Sequence, residues 1–204
     1  MEKREERIYH TVVLASLLHD LGKFLQRTET EDASLKGKHP VVAKEFLEEY
    51  EEHFSESFDF NLLLDLVKYH HESGLNGLLV QDLPSEENKP LALLVSQADS
   101  YSSAEREGEK IYRHYKLVPL TTIFYKIHLN GIDKLNKEKP SPKYRLKPYK
   151  PLNAFPECFE EFSEKEYNQP VNDFKNKFSQ MLKNAPRDNW EAIYSLIYNL
   201  LLTY

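Results

Sequence analysis

The chain has 204 residues, of which 40% are hydrophobic and 29% are charged, and its formal net charge is −6. This length and composition predict one substantial globular domain, or one domain with a small appendage. No apolar run approaches the roughly 20 residues that a membrane span needs, and Cys158 is the only cysteine, so an internal disulfide is excluded. We therefore expect a cytoplasmic protein without a membrane partner.

The charge is distributed unevenly. Residues 1–110 carry 12 Lys and Arg against 23 Asp and Glu, whereas residues 111–204 carry 15 against 10. An acidic first half argues against broad electrostatic capture of nucleic acid by that half alone, unless a bound metal adds positive charge there.

Apolar spacing predicts four helices in the first half of the chain. A first helix is expected at about 5–25, and a second from Pro40 to about His53. Asp59 or Asn61 is a candidate cap for a third helix that reaches His70, and Pro90 opens a fourth helix that contains Asp99. The ends of these helices carry most of the candidate site residues.

The second half of the chain has a different pattern. Residues 121–129 are rich in β-branched and aromatic residues and predict a strand, with an Asn-Gly turn after it. Residues 132–156 are rich in Lys and Pro and predict an extended linker or short strand. Two helices are expected after it, at about 163–184 and 188–203, with Asp188 or Asn189 as a candidate cap for the second. We expect a mainly α fold, a helical bundle with a small β element and two C-terminal helices, divided at 1–115, 116–156 and 157–204.

The segment Leu17–Lys23, with the sequence LLHDLGK, is the strongest local motif. His19 and Asp20 place an imidazole beside a carboxylate, and both groups are ligands for divalent metals. Gly22 allows the backbone to come close to such a site, and Lys23 can present a cation to an anionic substrate.

Further metal-ligand types follow at the ends of the next predicted helices: His39, His70, His71 and Asp99. Together with His19 and Asp20 they could hold one or two divalent ions, with either His70 or His71 completing the first. Mixed nitrogen and oxygen ligands favour Mn, Ni, Co or Fe over Mg. His10 lies nine residues before His19, roughly 13 Å along a continuous helix, and is therefore excluded from the same metal.

These motifs resemble the HD phosphohydrolase superfamily. His19-Asp20 is similar to its defining pair, Lys38-His39-Pro40 to its next His motif, His70-His71-Glu72 to its paired-His motif, and Gln97-Ala98-Asp99 to its final Asp. The resemblance implies an HD-type helical bundle around one or two metals. The superfamily usually has another His on a helix before the His–Asp pair, and this chain has no good candidate for it.

A narrower resemblance covers most of the chain. The segment 98–106, ADSYSSAER, resembles a signature of the large, Palm-containing subunit of type III-A CRISPR effector complexes, which begins with an HD nuclease domain. That resemblance implies a metal-dependent nuclease for single-stranded DNA, with guide RNA and other subunits as partners. The Gly-Gly-Asp-Asp motif of the Palm domains is absent, so we expect an N-terminal fragment or excised domain.

The leading hypothesis is therefore a nuclease in which His19, Asp20 and Lys23 are the candidate catalytic residues. The candidate contacts to nucleic acid are Lys23, Arg106, Lys143, Arg145 and Lys147. The basic segment is equally consistent with a solvated linker, and Arg106 with a surface group. Two alternatives remain open: a phosphohydrolase for nucleotides or cyclic nucleotides, and a docking module without chemistry.

Overall fold

The computed structural model describes residues 2–27, 38–75, 77–104 and 164–204. Within those ranges the protein is helical, which confirms the predicted mainly α fold. The helices are α1 (Glu2–Leu18), α2 (Leu21–Leu25), α3 (His39–Glu48), α4 (Glu51–Phe54), α5 (Phe60–Lys68), α6 (Lys89–Ala104), α7 (Glu164–Asn184) and α8 (Trp190–Thr203). None of these helices combines the length and the apolar character needed to cross a membrane.

The predicted first helix is interrupted at the His–Asp pair. The structure ends α1 at Leu18 and starts α2 at Leu21, so His19 and Asp20 lie at a corner, with Asp20 at φ −96° and ψ 2°. The predicted second helix is likewise divided into α3 and α4. Apolar spacing alone continues across both breaks, so it did not predict either of them.

Two caps were correctly anticipated among the alternatives. The Asp59 side chain accepts a hydrogen bond from the backbone N–H of Leu62 at 3.1 Å and starts α5. The Asn189 side chain accepts one from the N–H of Ala192 at 3.0 Å and starts α8. Because both caps satisfy otherwise unpaired N–H groups, they account for where these helices begin.

The core is formed by α1, α3 and α5 and is completed by the two C-terminal helices. Its fully buried side chains include Leu14, Leu47, Leu63, Leu66, Phe174, Phe178 and Ile193. The Phe178 ring lies 5.1 Å from the rings of both Phe46 and Tyr50. Each such buried side chain contributes about 1.5–3 kcal/mol to stability. Because side chains of α7 and α8 are buried in the same cluster as those of α1, α3 and α5, the C-terminal helices share one core with the helices before residue 104.

Several predictions fall outside the described residues. They are the strand at 121–129, the linker at 132–156, the division points at 115 and 156, and the candidate DNA contacts Arg106, Lys143, Arg145 and Lys147. Among the described residues, β structure is limited to one isolated parallel bridge between His71 and Leu79.

Candidate metal centre

All six predicted metal ligands lie at one end of the bundle. His19 and Asp20 occupy the corner between α1 and α2, and His39 begins α3. His70 and His71 follow α5, and Asp99 lies on α6. The packing of these helices thus brings together side chains that are spread over 80 positions of the sequence.

The rings of His19 and His70 are oriented by backbone carbonyl groups. Nδ1 of His19 lies 2.8 Å from the carbonyl oxygen of Ser16, and Nδ1 of His70 lies 2.8 Å from that of Val67. A carbonyl oxygen can only accept, so Nδ1 is the donor in each case. In the neutral rings, Nε2 therefore carries the lone pair, and it is directed toward the other site residues.

Asp20 lies among the histidines. Its Oδ1 is 3.3 Å from Nε2 of His39 and 4.0 Å from Nε2 of His70, and its Oδ2 is 3.5 Å from Nε2 of His19. This position allows the two carboxylate oxygens to face different nitrogen ligands.

The donor atoms form two overlapping groups, each with all its atoms within 4.8 Å of one another. One group is His19, Asp20 and His70, and the other is His39, His70 and His71. In the second group, Nε2 of His71 lies 3.1 Å from Nε2 of His39. The overlap at His70 is compatible with one ion or with two adjacent ions.

Gly22 sets the distance between α2 and α3. A β-carbon on Gly22 would lie 1.9 Å from the carbonyl oxygen of His39 and 3.0 Å from the backbone nitrogen of Ala43. Only a residue without a β-carbon permits this approach, which holds His39 against the corner that carries Asp20.

Two charged groups flank the histidines. Oδ1 of Asp99 lies 3.5 Å from Nε2 of His19. Nζ of Lys23 donates a hydrogen bond to Oδ2 of Asp20 at 2.7 Å, and half of its side chain is exposed. Lys23 is therefore both tied to the centre and accessible to a solute.

The electrostatics favour a neutral imidazole at His70 and at His71. The pKa of His70 is lowered to about 3, mainly by burial and also by the neighbouring His71 and His19. Burial also lowers the pKa of His71, with a contribution from His39. Neutral imidazoles are the form that binds a metal ion.

His19 and Asp20 shift in opposite directions. Burial works to lower the pKa of His19, but the contact with Asp20 outweighs it and the pKa is raised. Burial works to raise the pKa of Asp20, but the neighbouring His19, His39 and Lys23 outweigh it and hold that pKa far below its usual range. Asp20 is therefore held in its ionised form.

A divalent ion fits this donor set. Nε2 of His19, Nε2 of His70 and Oδ1 of Asp20 are buried, and none of them has a hydrogen-bond partner. A buried polar atom without a hydrogen bond costs about 1–3 kcal/mol, and here three such atoms lie together, with the cost offset in part by ion-pair contacts of 3.3 to 4.0 Å. Coordination of a cation would satisfy all three, so the residues present match a metal centre.

Sequence reasoning missed the groups that orient these ligands. The carbonyl groups of Ser16 and Val67 belong to no motif, because any residue supplies a carbonyl. The buried hydroxyl of Ser96 donates to a carboxylate oxygen of Glu72 at 3.1 Å and joins the loop after the His pair to α6. The sequence signal that could have indicated this contact is the position of Ser96, one helical turn before Asp99.

Residues 5–104 match the family model described as HD domain. Two curated relatives are each named CRISPR system single-strand-specific deoxyribonuclease Cas10/Csm1 (subtype III-A). The one from Enterococcus italicus is 26% identical over 189 residues, covering 91% of this chain and 23% of the relative. The one from Methanocaldococcus jannaschii is 26% identical over 210 residues, covering 93% and 22%.

The chain thus spans about a quarter of the length of these relatives. No solved structure is significantly similar to it.

Proposed function

Residues 5–104 belong to the HD domain family, and from this premise we propose that the protein is a metal-dependent nuclease for single-stranded DNA. The observation that carries the proposal is the group of three buried, unpaired donor atoms on His19, Asp20 and His70. A bound cation would coordinate these three atoms and so compensate for the hydrogen bonds that they lack. Single-stranded DNA is the proposed substrate because two relatives are named single-strand-specific deoxyribonucleases.

Within this proposal, His19, Asp20, His70 and Asp99 hold the first ion, and His39 and His71 join in holding a second. Bound there, divalent ions would neutralise charge on a phosphodiester and make water nucleophilic near neutral pH. The carbonyl groups of Ser16 and Val67 keep Nε2 of the two histidines available for this purpose. Mixed nitrogen and oxygen donors favour Mn, Ni, Co or Fe.

Lys23 is the residue proposed to contact the scissile phosphate. Its ammonium group is half-exposed and already lies 2.7 Å from Asp20, so a phosphate at the centre would come within its reach. A cation at this point stabilises the negative charge that develops on the phosphate oxygens during hydrolysis.

The proposed context is a type III CRISPR effector complex in the cytoplasm, with guide RNA and other subunits as partners. It rests on the two relatives and on the resemblance of segment 98–106 to the large subunit of such complexes. Arg106, Lys143, Arg145 and Lys147 remain proposed contacts to the DNA backbone.

The test is cleavage of end-labelled single-stranded DNA, double-stranded DNA and RNA with Mn, Ni, Co, Mg or EDTA. We expect cutting of single-stranded DNA with a transition metal, and its loss in the His19→Ala/Asp20→Ala double variant. His53→Asn is the matched control, because His53 is also a buried histidine but lies outside both donor groups.

Other outcomes would redirect the proposal. Turnover of mononucleotides or cyclic nucleotides without cleavage of oligonucleotides would identify a small-nucleotide phosphohydrolase. A folded protein that cuts nothing with any metal, yet binds another subunit tightly, would be a docking module.

A further inference from the structure

A groove of about 420 Å³ lies between α1, α6 and α8. Its walls are formed mainly by apolar and aromatic side chains: Tyr9, Val13, Leu17, Leu94, Ala98 and Tyr194. None of the lining residues is charged. The hydroxyl of Ser16, which also lines the groove, donates to the carbonyl oxygen of Val12 at 2.9 Å, so it offers no free donor.

The groove begins beside the metal centre. Ser16 supplies the carbonyl group that orients His19, and Ala98 directly precedes Asp99. From there the groove follows α1 toward Tyr9, which lies seven residues before Ser16, about 10 Å along the helix. A strand with one phosphate at the metal centre would therefore have its next nucleotide at the mouth of the groove.

The groove exposes apolar surface to water. Leu94 is 54% exposed and Tyr9 is 62% exposed. Tyr194, which lines the groove, stacks with Tyr198, and their rings are nearly parallel at 10° apart. Uncharged walls that carry aromatic rings do not suit a phosphate group, but they suit the flat faces of nucleobases.

We propose that this groove binds unpaired bases of the DNA strand whose phosphate lies at the metal centre. The proposal rests on the proposed nuclease function and extends it with a site for the bases. A base that is paired in a duplex has its edge occupied and its faces stacked, so it cannot enter. The groove thus gives a physical reason for preference for a single strand, which phosphate contacts alone do not provide.

The test compares binding of a short, labelled oligodeoxythymidylate with binding of an abasic strand of equal length and charge. Both are measured by fluorescence anisotropy in EDTA, so that no cleavage occurs. We expect the base-containing strand to bind wild type more tightly by roughly fivefold to 100-fold, the range that base stacking supplies. Equal binding of the two strands would overturn the proposal.

Variants locate the effect in the groove. Tyr9→Ala and Leu94→Ala are expected to weaken binding of the base-containing strand and to leave the abasic strand unchanged, and Tyr9→Phe is expected to retain binding. Leu196→Ala is the control, because Leu196 is an exposed apolar residue of α8 outside the groove. All three positions, Tyr9, Leu94 and Leu196, are exposed, so folding is expected to survive, and thermal unfolding checks it.

The outcomes separate this proposal from the proposed function. If the wild type shows metal-dependent cutting, but Tyr9→Ala and Leu94→Ala bind both strands as Leu196→Ala does, the proposal that the groove binds bases is refuted. The proposal of a nuclease then stands. Absence of cutting by wild type would refute the nuclease itself. Loss of binding to a protein subunit in the groove variants, with DNA binding intact, would show that the groove is a protein interface and overturn the proposal.

Discussion

Gly22 and His39 are in backbone contact: a β-carbon on Gly22 would lie 1.9 Å from the carbonyl oxygen of His39. This contact joins α2, which starts after Asp20, to α3, which starts at His39. The glycine of the LLHDLGK motif therefore acts on the site through the position of His39.

Gly22→Ala is expected to reduce the free energy of unfolding by about 1–3 kcal/mol, because backbone atoms must move to admit the β-carbon. It should also weaken metal binding, since the displaced segment carries His39. Gly77→Ala is the comparison: Gly77 has φ +80° but no atom near its missing β-carbon, so it should cost stability alone. Urea denaturation and metal titration of both variants measure the two effects. Unchanged metal affinity in Gly22→Ala would contradict this account.

Addition of Mn or Ni is expected to stabilise the wild-type protein, because the folded state has a donor group that the unfolded chain lacks. A metal concentration 100 times its Kd would add about 2.7 kcal/mol to the free energy of unfolding. His70→Ala should abolish this gain, whereas His53→Asn should retain it. Thermal unfolding with and without EDTA provides the measurement, and a metal-induced gain of equal size in all three proteins would place the ion elsewhere.

Lys23→Ala is expected to slow cleavage of single-stranded DNA by roughly 10-fold to 100-fold, which corresponds to one charge-assisted hydrogen bond to the phosphate. Metal affinity should not fall, because Lys23 is not a donor and its positive charge opposes a second cation. Single-turnover rates and a metal titration on the same preparation separate the two quantities. If Lys23→Ala binds the metal more weakly but cleaves at the wild-type rate once it is saturated with metal, Lys23 acts through Asp20 instead.

The metal-free protein is expected to lose stability as the pH falls. Burial lowers the pKa of His70 to about 3, whereas the unfolded chain binds a proton near the ordinary pKa of 6.5. The contribution of His70 is therefore complete above pH 6.5 and decreases toward pH 3, by at most about 1.4 kcal/mol per pH unit. His71 acts in the same direction, and His19, whose pKa is raised, opposes it.

Urea denaturation in EDTA at several pH values between 7.5 and 4 measures this dependence. His70→Gln should flatten the curve, since it removes the group that the unfolded chain protonates and the folded protein does not. A curve of unchanged slope in His70→Gln would assign the effect to other groups.

The candidate ligands could be picked out from the sequence, but their arrangement could not. His19, Asp20, His39, His70, His71 and Asp99 were recognisable because each has a metal-binding side chain at a predicted helix end. Their pairing depends on contacts between distant segments, such as Gly22 with His39 and Glu72 with Ser96. Backbone carbonyl groups orient two of the rings, and a carbonyl has no signature in the sequence.

The helix boundaries could also be predicted only in part from the sequence. Local chemistry predicted where α5 and α8 begin, because the side chains of Asp59 and Asn189 cap their own helices. The break after Leu18 was not predicted, since Leu18 and Leu21 continue the apolar spacing and both are buried. There the packing of α2 on α3 takes precedence over local helical preference.

The short helix α2 packs against α3 and also contacts the C-terminal helices, so it connects α7 and α8 to the candidate metal centre. On one side Gly22 contacts α3; on the other, the ring of Phe24 lies 5.4 Å from Phe174 and 6.2 Å from Tyr204. Lys23 lies between these two contacts. A displacement of α7 or α8 that moves Phe24 would therefore also shift the backbone of Lys23, the residue proposed to contact the phosphate.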